Sequence, residues 1–583
     1  MRKIIFSFTL VMMAVRMMAA YYVAGNGTSG NPWCDGLSWK INGSPMTEQD
    51  GVWTVTFQDV PVSADYQFKV TDGNSTWIGV QKYNRECSNI YARGADNIKF
   101  GITEKQDITI SYDGSKICVN GTIGNEAPDP SQYAKVGVPS EYEGVMLQAF
   151  YWDSYQNPNK YGRTKWIDLA KDSIAIRENF DLVWFPPSAK GGGVGYSHQQ
   201  LSNQSGDWGT RENLEKLIAA LHNGGTKVLA DIVINHRANK SNWCDFYEDT
   251  FGDGYGSFQL TQQHICKGDE CFTTSGSTCY GAADEERGNP DTGTNFDGAR
   301  DLDHTNPFVQ EWAKAYTRWM LGVMKYDGFR YDMTLGFHGQ YLSMYNLNSE
   351  PFFSVSECWE NLDIIQSHLE DASYNTLAFD FPMKFKLNAW KGTSYSNLKN
   401  PGLRSLGLSR FAVTFIDNHD TFNRSSYGNN EFLGPNTDLN AKRNTIIEAN
   451  AYLLMMPGVP CVFWPHWYTF RTEINRLIAL RKHVGIHSES VVSDETATTN
   501  SYSATITGHK GNAILRMGSA RDMTVPQGYV RAYKGDNFDI YTTNGTGVDD
   551  VTVEPATTKV LENGKLYIIK NNIRYTIDGR IVE

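Results

Sequence analysis

The sequence predicts a multidomain α/β protein: a (β/α)8 barrel with an inserted lobe, flanked by N-terminal and C-terminal β-sandwich domains. Three observations predict it. Between about 141 and 485, short apolar runs alternate with helical patterns, and eight such runs can be counted. One link in that stretch, from Asn235 to Pro307, is far too long for a plain strand-to-helix connection. On either side the pattern becomes short alternating runs punctuated by Gly, Asn and Asp.

The totals narrow the functional classes. A chain of 583 residues has room for several domains and one large core. With 20% charged and 13% aromatic residues it is a folding chain, not a disordered one. A net charge of -12 argues against nucleic acid as the main partner.

Residues 1–20 read as a signal peptide: Arg2 and Lys3, an apolar run from Ile4 to Val15, and small residues before a cleavage site after Ala20. The expected destination is secreted or periplasmic, with no membrane insertion, since no later apolar span follows. Residues 21–120 contain the runs Tyr21–Ala24, Val52–Phe57, Tyr66–Val70 and Ile108–Tyr112, the pattern of a small β-sandwich. Trp33, Trp39, Trp53 and Trp77 are dense for such a domain, so one or two of them are candidate sugar platforms. Residues 121–140 have the Pro/Gly/Asp content of a linker.

The barrel strands are expected at Val145–Phe150, Leu182–Phe185, Val228–Val233, 326–332, 352–358, Leu377–Asp380, Phe411–Ile416 and Val459–Trp464. Helices are expected at Arg211–Asn223, Pro307–Met324, Ala441–Met455 and Thr472–His483. In the first of these, Leu214, Leu217, Ile218 and Leu221 give one buried face. Eight units match a closed TIM barrel, and an open doubly wound sheet is the architectural rival. From 486 to 583 a C-terminal β domain is expected. Cys244, Cys266, Cys271 and Cys279 cluster in the long connection, where disulfides are expected rather than zinc. Cys358 and Cys461 read as buried thiols, and one pair is allowed among Cys34, Cys87 and Cys118.

Several strands end in polar groups that packing does not explain. Asp332 closes Gly328–Asp332, and Arg330, two residues earlier, shares its face in an extended strand. Glu357 closes the next strand. Such a pair fits one carboxylate that attacks and one that gives a proton. Asp417-Asn418-His419-Asp420 follows the seventh strand, and Asp231–His236 ends the third. Each of these four ends has a purely structural reading, as a cap, a turn or a core histidine. Their joint occurrence at strand C-termini favours a site. Calcium is the expected metal, because oxygen ligands such as Asn235, Asp291 and Asp301 are plentiful around the long connection.

The stretches ADIVINHR (230–237), NPDTGTNF (289–296), DLDH (301–304), GFRYD (328–332), SVSECWEN (354–361), FIDNHDT (415–421) and PGVPCVFW (457–464) carry a resemblance to the α-amylase family of retaining glycoside hydrolases, and among them to plant-type members. The resemblance covers about 143 to 490. It implies that Asp332 is the nucleophile, Glu357 the acid/base and Asp420 the transition-state stabiliser. Arg330 would orient Asp332, His236 and His419 would bind sugar hydroxyls, and Tyr196 would stack beneath the sugar. A calcium ion would be held by Asn235, Asp291, Asp301 and the carbonyl of Gly336. Residues 237–305 would be the family's B domain. The N-terminal region resembles starch-binding modules.

There are departures from the plant-type pattern. SHQQLSNQSGDWG follows Tyr196, Asn295 stands where an aspartate is usual, and Leu335 replaces a basic residue. The implied activity is a secreted endo-acting α-amylase. Its partners would be starch, glycogen or maltooligosaccharides, and it would act as a monomer. The rivals are a transglycosylase or α-1,6-acting relative, a non-catalytic starch-binding protein, and an adhesion protein built of β modules.

Overall fold

The computed structural model describes residues 21–79, 90–91, 97–102, 105–114, 116–119, 136–156, 161–240, 245–252, 254–268, 287–294, 296, 298–422, 430–434, 438–543 and the strand residues 558–562, 565–570, 573–576 and 581–582. The expected leader, most of the expected linker, Cys87, Cys244, Cys271, Cys279 and Asn295 lie outside them. The chain divides into two compact units, Met1–Pro128 and Asp129–Glu583.

The first unit is a β-sandwich of two five-stranded sheets. Alternation builds it: in Gln106–Tyr112 the side chains of Ile108, Ile110 and Tyr112 point inward together. They meet Val23, Phe68 and Val70 of the other sheet around a fully buried Trp33. Trp33 lies against Phe57 and Phe68, with ring centroids 5.0 and 5.7 Å away. Trp77 is 38% exposed, and its ring is 6.4 Å from that of Trp39. Cys34 is a buried free thiol, and Cys118 is disulfide-bonded.

The second unit is organised by eight parallel strands: β1 Met146–Gln148, β2 Leu182–Trp184, β3 Lys227–Ile232, β4 Gly328–Tyr331, β5 Phe353–Ser356, β6 Leu377–Phe379, β7 Ala412–Phe415 and β8 Val459–Phe463. They form a closed barrel, because β8 pairs back onto β1 with Met146 opposite Cys461. That closure decides between the barrel and the open sheet. Helices cover the outside, so these strands are apolar on both faces. The helix Arg211–His222 buries Leu214, Leu217, Ile218 and Leu221, and the Thr210 hydroxyl caps it by accepting from Asn213 N–H. The helix Pro307–Gly322 starts with proline at its first turn and the Asn306 side chain as cap.

Between β3 and that helix the chain makes a lobe. It leaves and returns as a ribbon, His236–Arg237 paired antiparallel with Arg300–Asp301. Cys266 in this lobe departs from the expected disulfide cluster: it is buried and not in a disulfide. Its N–H donates to the Asp301 carbonyl at 2.9 Å, which ties it to the ribbon. Beyond the barrel lies a five-stranded antiparallel sheet, from Val491–Ala497 to Phe538–Thr542. Its Tyr502, Ile506, Leu515 and Ile540 join the barrel's hydrophobic core. A separate four-stranded sheet spans Thr558–Glu562 to Ile581–Val582. Among the described residues, no helix is long and apolar enough to cross a membrane.

Candidate active site

The C-terminal ends of β3, β4, β5 and β7 converge on a cleft of about 400 Å³. Strand register explains the convergence. Asp231 of β3 pairs with Arg330 of β4, and Arg330 pairs with Val355 of β5, so all three strand ends lie level. Arg330 is fully buried at the centre. Its guanidinium lies 2.7 Å from Asp231 Oδ1, 2.8 Å from Asp332 Oδ1 and 2.7 Å from Glu357 Oε1. One cation therefore serves three buried carboxylates, and the cluster keeps an excess of negative charge.

Burial, and after it that imbalance, sets the protonation states. Burial pushes Glu357 up from the usual carboxylate range; Arg330 pulls it down, and the neighbouring Asp332 pushes it up again. Asp332 is also raised by burial, against the pull of Arg330. Burial works against the Arg330 charge, but Asp231 and Glu357 outweigh it and hold that pKa well above its ordinary value. Met333 follows Asp332 in the left-handed region, at φ 45°, and its N–H donates to Glu357 Oε2 at 3.1 Å. A methionine with positive φ is a cost of about 1–3 kcal/mol, and here it aims a donor at the second carboxylate.

The other wall is aromatic. Trp152, Tyr196 and His419 lie nearly parallel, with interplanar angles of 9° and 11° at Tyr196. The Tyr196 hydroxyl donates to Asp231 Oδ2 at 2.8 Å, and Trp184 Nε1–H donates to the same oxygen at 3.0 Å. His419 Nδ1 is 3.0 Å from Gln148 Nε2, an amide donor, which leaves Nε2 as the protonated nitrogen, 3.1 Å from Asp420 Oδ2. His236 lies at the cleft edge with Nε2 3.0 Å from the Tyr196 carbonyl, and burial lowers its pKa to about 4. Asp332, Glu357, Asp420, Arg330, His236, His419 and Tyr196 are thus brought to one place.

Comparison with known proteins bears on this geometry. The family model described as "Alpha amylase, catalytic domain" matches residues 179–350. The chain is 32% identical over 412 residues to Probable alpha-amylase 2 of Arabidopsis thaliana, covering 65% of this chain and 91% of that one. The chain belongs to the α-amylase family. An alpha-amylase of Bacillus licheniformis is 25% identical over 58% of this chain and 74% of its own length. Among solved structures, the cyclomaltodextrin glucanotransferase CldA superposes with a TM-score of 0.50 at 14% identity, covering 70% of this chain and all of that one. That last likeness concerns the fold.

Within this α-amylase-family barrel, sequence reasoning gave no role to Asp231, which holds both Arg330 and Tyr196. It also passed over Gln148, Trp152, Trp184, Met333 and Trp359. Gln148 ends the first strand much as Asp332 follows the fourth, so the same strand-end argument could have found it, and Trp152 lies in the turn just beyond. Leu335 lines the cleft where the family resemblance implied a basic side chain. After Tyr196, Ser197–Gln200 pairs back onto Lys190–Gly192, and Trp208 is buried. Of this departing stretch, Ser197 lines the cleft beside Tyr196.

A second cluster lies where the lobe meets the barrel. Cys266, Asp291 and Asp301 bring ligand atoms within 4.8 Å of one another. Asn235 is fully buried, and its Oδ1 accepts no hydrogen bond. A Cβ on Gly336 would lie 1.9 Å from that oxygen, and one on Gly293 would lie 2.3 Å from the Gly336 carbonyl oxygen. Only glycine at these positions allows the approach. The cluster of buried oxygens fits a hard divalent cation.

Proposed function

We propose that this chain is an endo-acting α-amylase that hydrolyses α-1,4-glucosidic bonds of starch or related α-glucans with retention. The observation that carries this reading is the sharing of one buried guanidinium by Asp332 and Glu357. Both carboxylates reach that one guanidinium, at 2.8 and 2.7 Å, which favours the short spacing of a retaining pair, about 5–5.5 Å, over the roughly 6.5–9.5 Å that leaves room for an inverting water.

In this mechanism Glu357, kept protonated by its raised pKa, gives its proton to the glycosidic oxygen. Asp332 attacks the anomeric carbon and forms a glycosyl ester as the leaving sugar departs. Water then attacks that carbon, Glu357 takes its proton, and the ester bond to Asp332 breaks. Arg330 holds Asp332 oriented. Asp420 and the Nε2–H of His419 face the positive charge and the hydroxyls of the sugar being cleaved. Tyr196 offers its ring face, with the hydroxyl tied to Asp231.

A calcium ion is the cation we assign to the second cluster, held by Asn235 Oδ1, Asp291, Asp301 and the Gly336 carbonyl. It would supply a charge that ties the lobe to the barrel. We also read Trp77 and Trp39 as a glucan platform on the first unit, because a partly exposed aromatic pair suits a sugar face. The leader-like residues 1–20 support action outside the cytoplasm.

The test is reducing-sugar release from soluble starch, with product sizing and proton NMR of the first anomer formed. Mixed short maltooligosaccharides with the α anomer first are expected. Inverted product, cyclic products, or binding of starch without release would each overturn the reading.

A further inference from the structure

The cluster joining lobe to barrel contains an atom that a hard-cation site does not require. The Cys266 sulfur is buried beside the carboxylates of Asp291 and Asp301, within 4.8 Å of both ligand oxygens. Its main chain is pinned there: Cys266 N–H donates to the Asp301 carbonyl, and Ile265 bridges to Leu302. Asn235 supplies an independent sign of a ligand, a fully buried Oδ1 with no hydrogen bond.

Two ligands of one ion stand no farther apart than two bond lengths. That limit is about 4.6–5.2 Å for two oxygens on calcium and about 4.4 Å for one sulfur and one oxygen on zinc. The 4.8 Å bound on this cluster lies inside the calcium range, and a zinc ion requires the sulfur and the carboxylate oxygens to draw in to within about 4.4 Å. Thiolate sulfur favours zinc-like cations over calcium, and oxygen favours the reverse.

We propose that Cys266 makes this a mixed site that takes a thiophilic divalent cation such as Zn²⁺ in competition with calcium. The proposal rests on the calcium reading above. Binding replaces the S–H bond with a metal–sulfur bond, and the thiol proton leaves to solvent with no electron transferred. The two ions use different donors. Calcium, with six to eight ligands, recruits Asn235 Oδ1 and the Gly336 carbonyl from the barrel side. Four-coordinate zinc is satisfied by Cys266, Asp291, Asp301 and water, all on the lobe side. Calcium thus joins lobe to barrel, and zinc releases that joint.

The experiment uses the full chain stripped of metal, with Cd²⁺ as the spectroscopic probe and Zn²⁺ as the competitor. Cadmium should give an ultraviolet thiolate-to-metal band of one thiolate per chain, and excess calcium should abolish it. Calcium should raise Tm in the wild type, and zinc should reverse that gain. In Cys266→Ser the calcium gain should remain, the band should vanish, and at least tenfold more zinc should be needed. A band unchanged in Cys266→Ser, or no band in the wild type, overturns the proposal. Should that variant fail to fold, a wild-type cadmium band that calcium does not diminish overturns it instead. If calcium raises Tm in neither protein, it is the calcium reading that fails, whatever cadmium does.

Discussion

Two arginines of this barrel are equally buried and do opposite work. Arg237, at the root of the lobe, is paired with one carboxylate, Asp249, at 2.9 Å, with both side chains at 0% exposure. Its remaining donors go to the carbonyls of Gln199 and Tyr247, and its guanidinium lies 5.4 Å from the Phe246 ring. Asp249 accepts in turn from Trp312 Nε1–H and Ser202 N–H. Charge is balanced one to one, and the cluster fastens the lobe. Arg330 faces three carboxylates; burial first, and then the neighbouring negative charge, raises Asp332 and Glu357. Burial of a charge does not by itself mark function. Burial with an unmatched charge, at a cleft, does.

The largest break in this comparison comes from Asp332→Asn. Turnover of soluble starch should fall on the order of 10⁴–10⁶-fold, as for loss of a nucleophile. Stability should move the other way. Asp332 and Glu357 have folded-state pKa values above those of an unfolded chain, so the folded state holds extra protons between the two values. Stability is then lost as pH rises through that window, and relieving one charge raises Tm more at pH 8 than at pH 4. Thermal melts at both pH values check this; a lower Tm at pH 8 would contradict it.

Arg237→Met should give the mirror image, costing about 3–5 kcal/mol by stranding Asp249 as a buried charge. Denaturant unfolding measures the cost, and kcat per folded molecule should stay within about twofold. Asp231→Asn lies between the two. It loosens Arg330 and Tyr196, so kcat should fall about 10²-fold. It also removes a negative charge near Glu357, so the alkaline limb of the kcat/KM profile should move to lower pH. An unmoved limb would place Asp231 with the purely structural pairs.

Removing calcium should cost about 2.7 kcal/mol relative to a protein held at a hundredfold excess over Kd. Calorimetric melts with chelator and with added calcium measure it. The smallest effect belongs to the first unit. Trp77→Ala should weaken binding to insoluble starch by roughly tenfold or less, in line with about 1 kcal/mol for one exposed aromatic face. Hydrolysis of short soluble maltooligosaccharides should not change.

The sequence by itself determined eight apolar runs, one connection too long for a plain link, and two carboxylates at the ends of successive strands. It allowed both the closed barrel and the open sheet, and pairing of the last strand onto the first decided between them. Apolar runs ending in Asp332 and Glu357 are local patterns, and buried parallel strands need long apolar runs wherever they occur. Period two also put Arg330 and Asp332 on one face before any strand was paired. Only the tertiary structure decided which partners those groups meet. Asp231 lies 99 residues from Arg330 along the chain, and nothing in local spacing brings the two within 2.7 Å. Strand register does so. The same holds for Cys266, which a sequence reading groups with nearby cysteines and the folded lobe sets beside Asp291 and Asp301. Periodicity is written in neighbouring residues, whereas charge balance belongs to groups that only folding brings together.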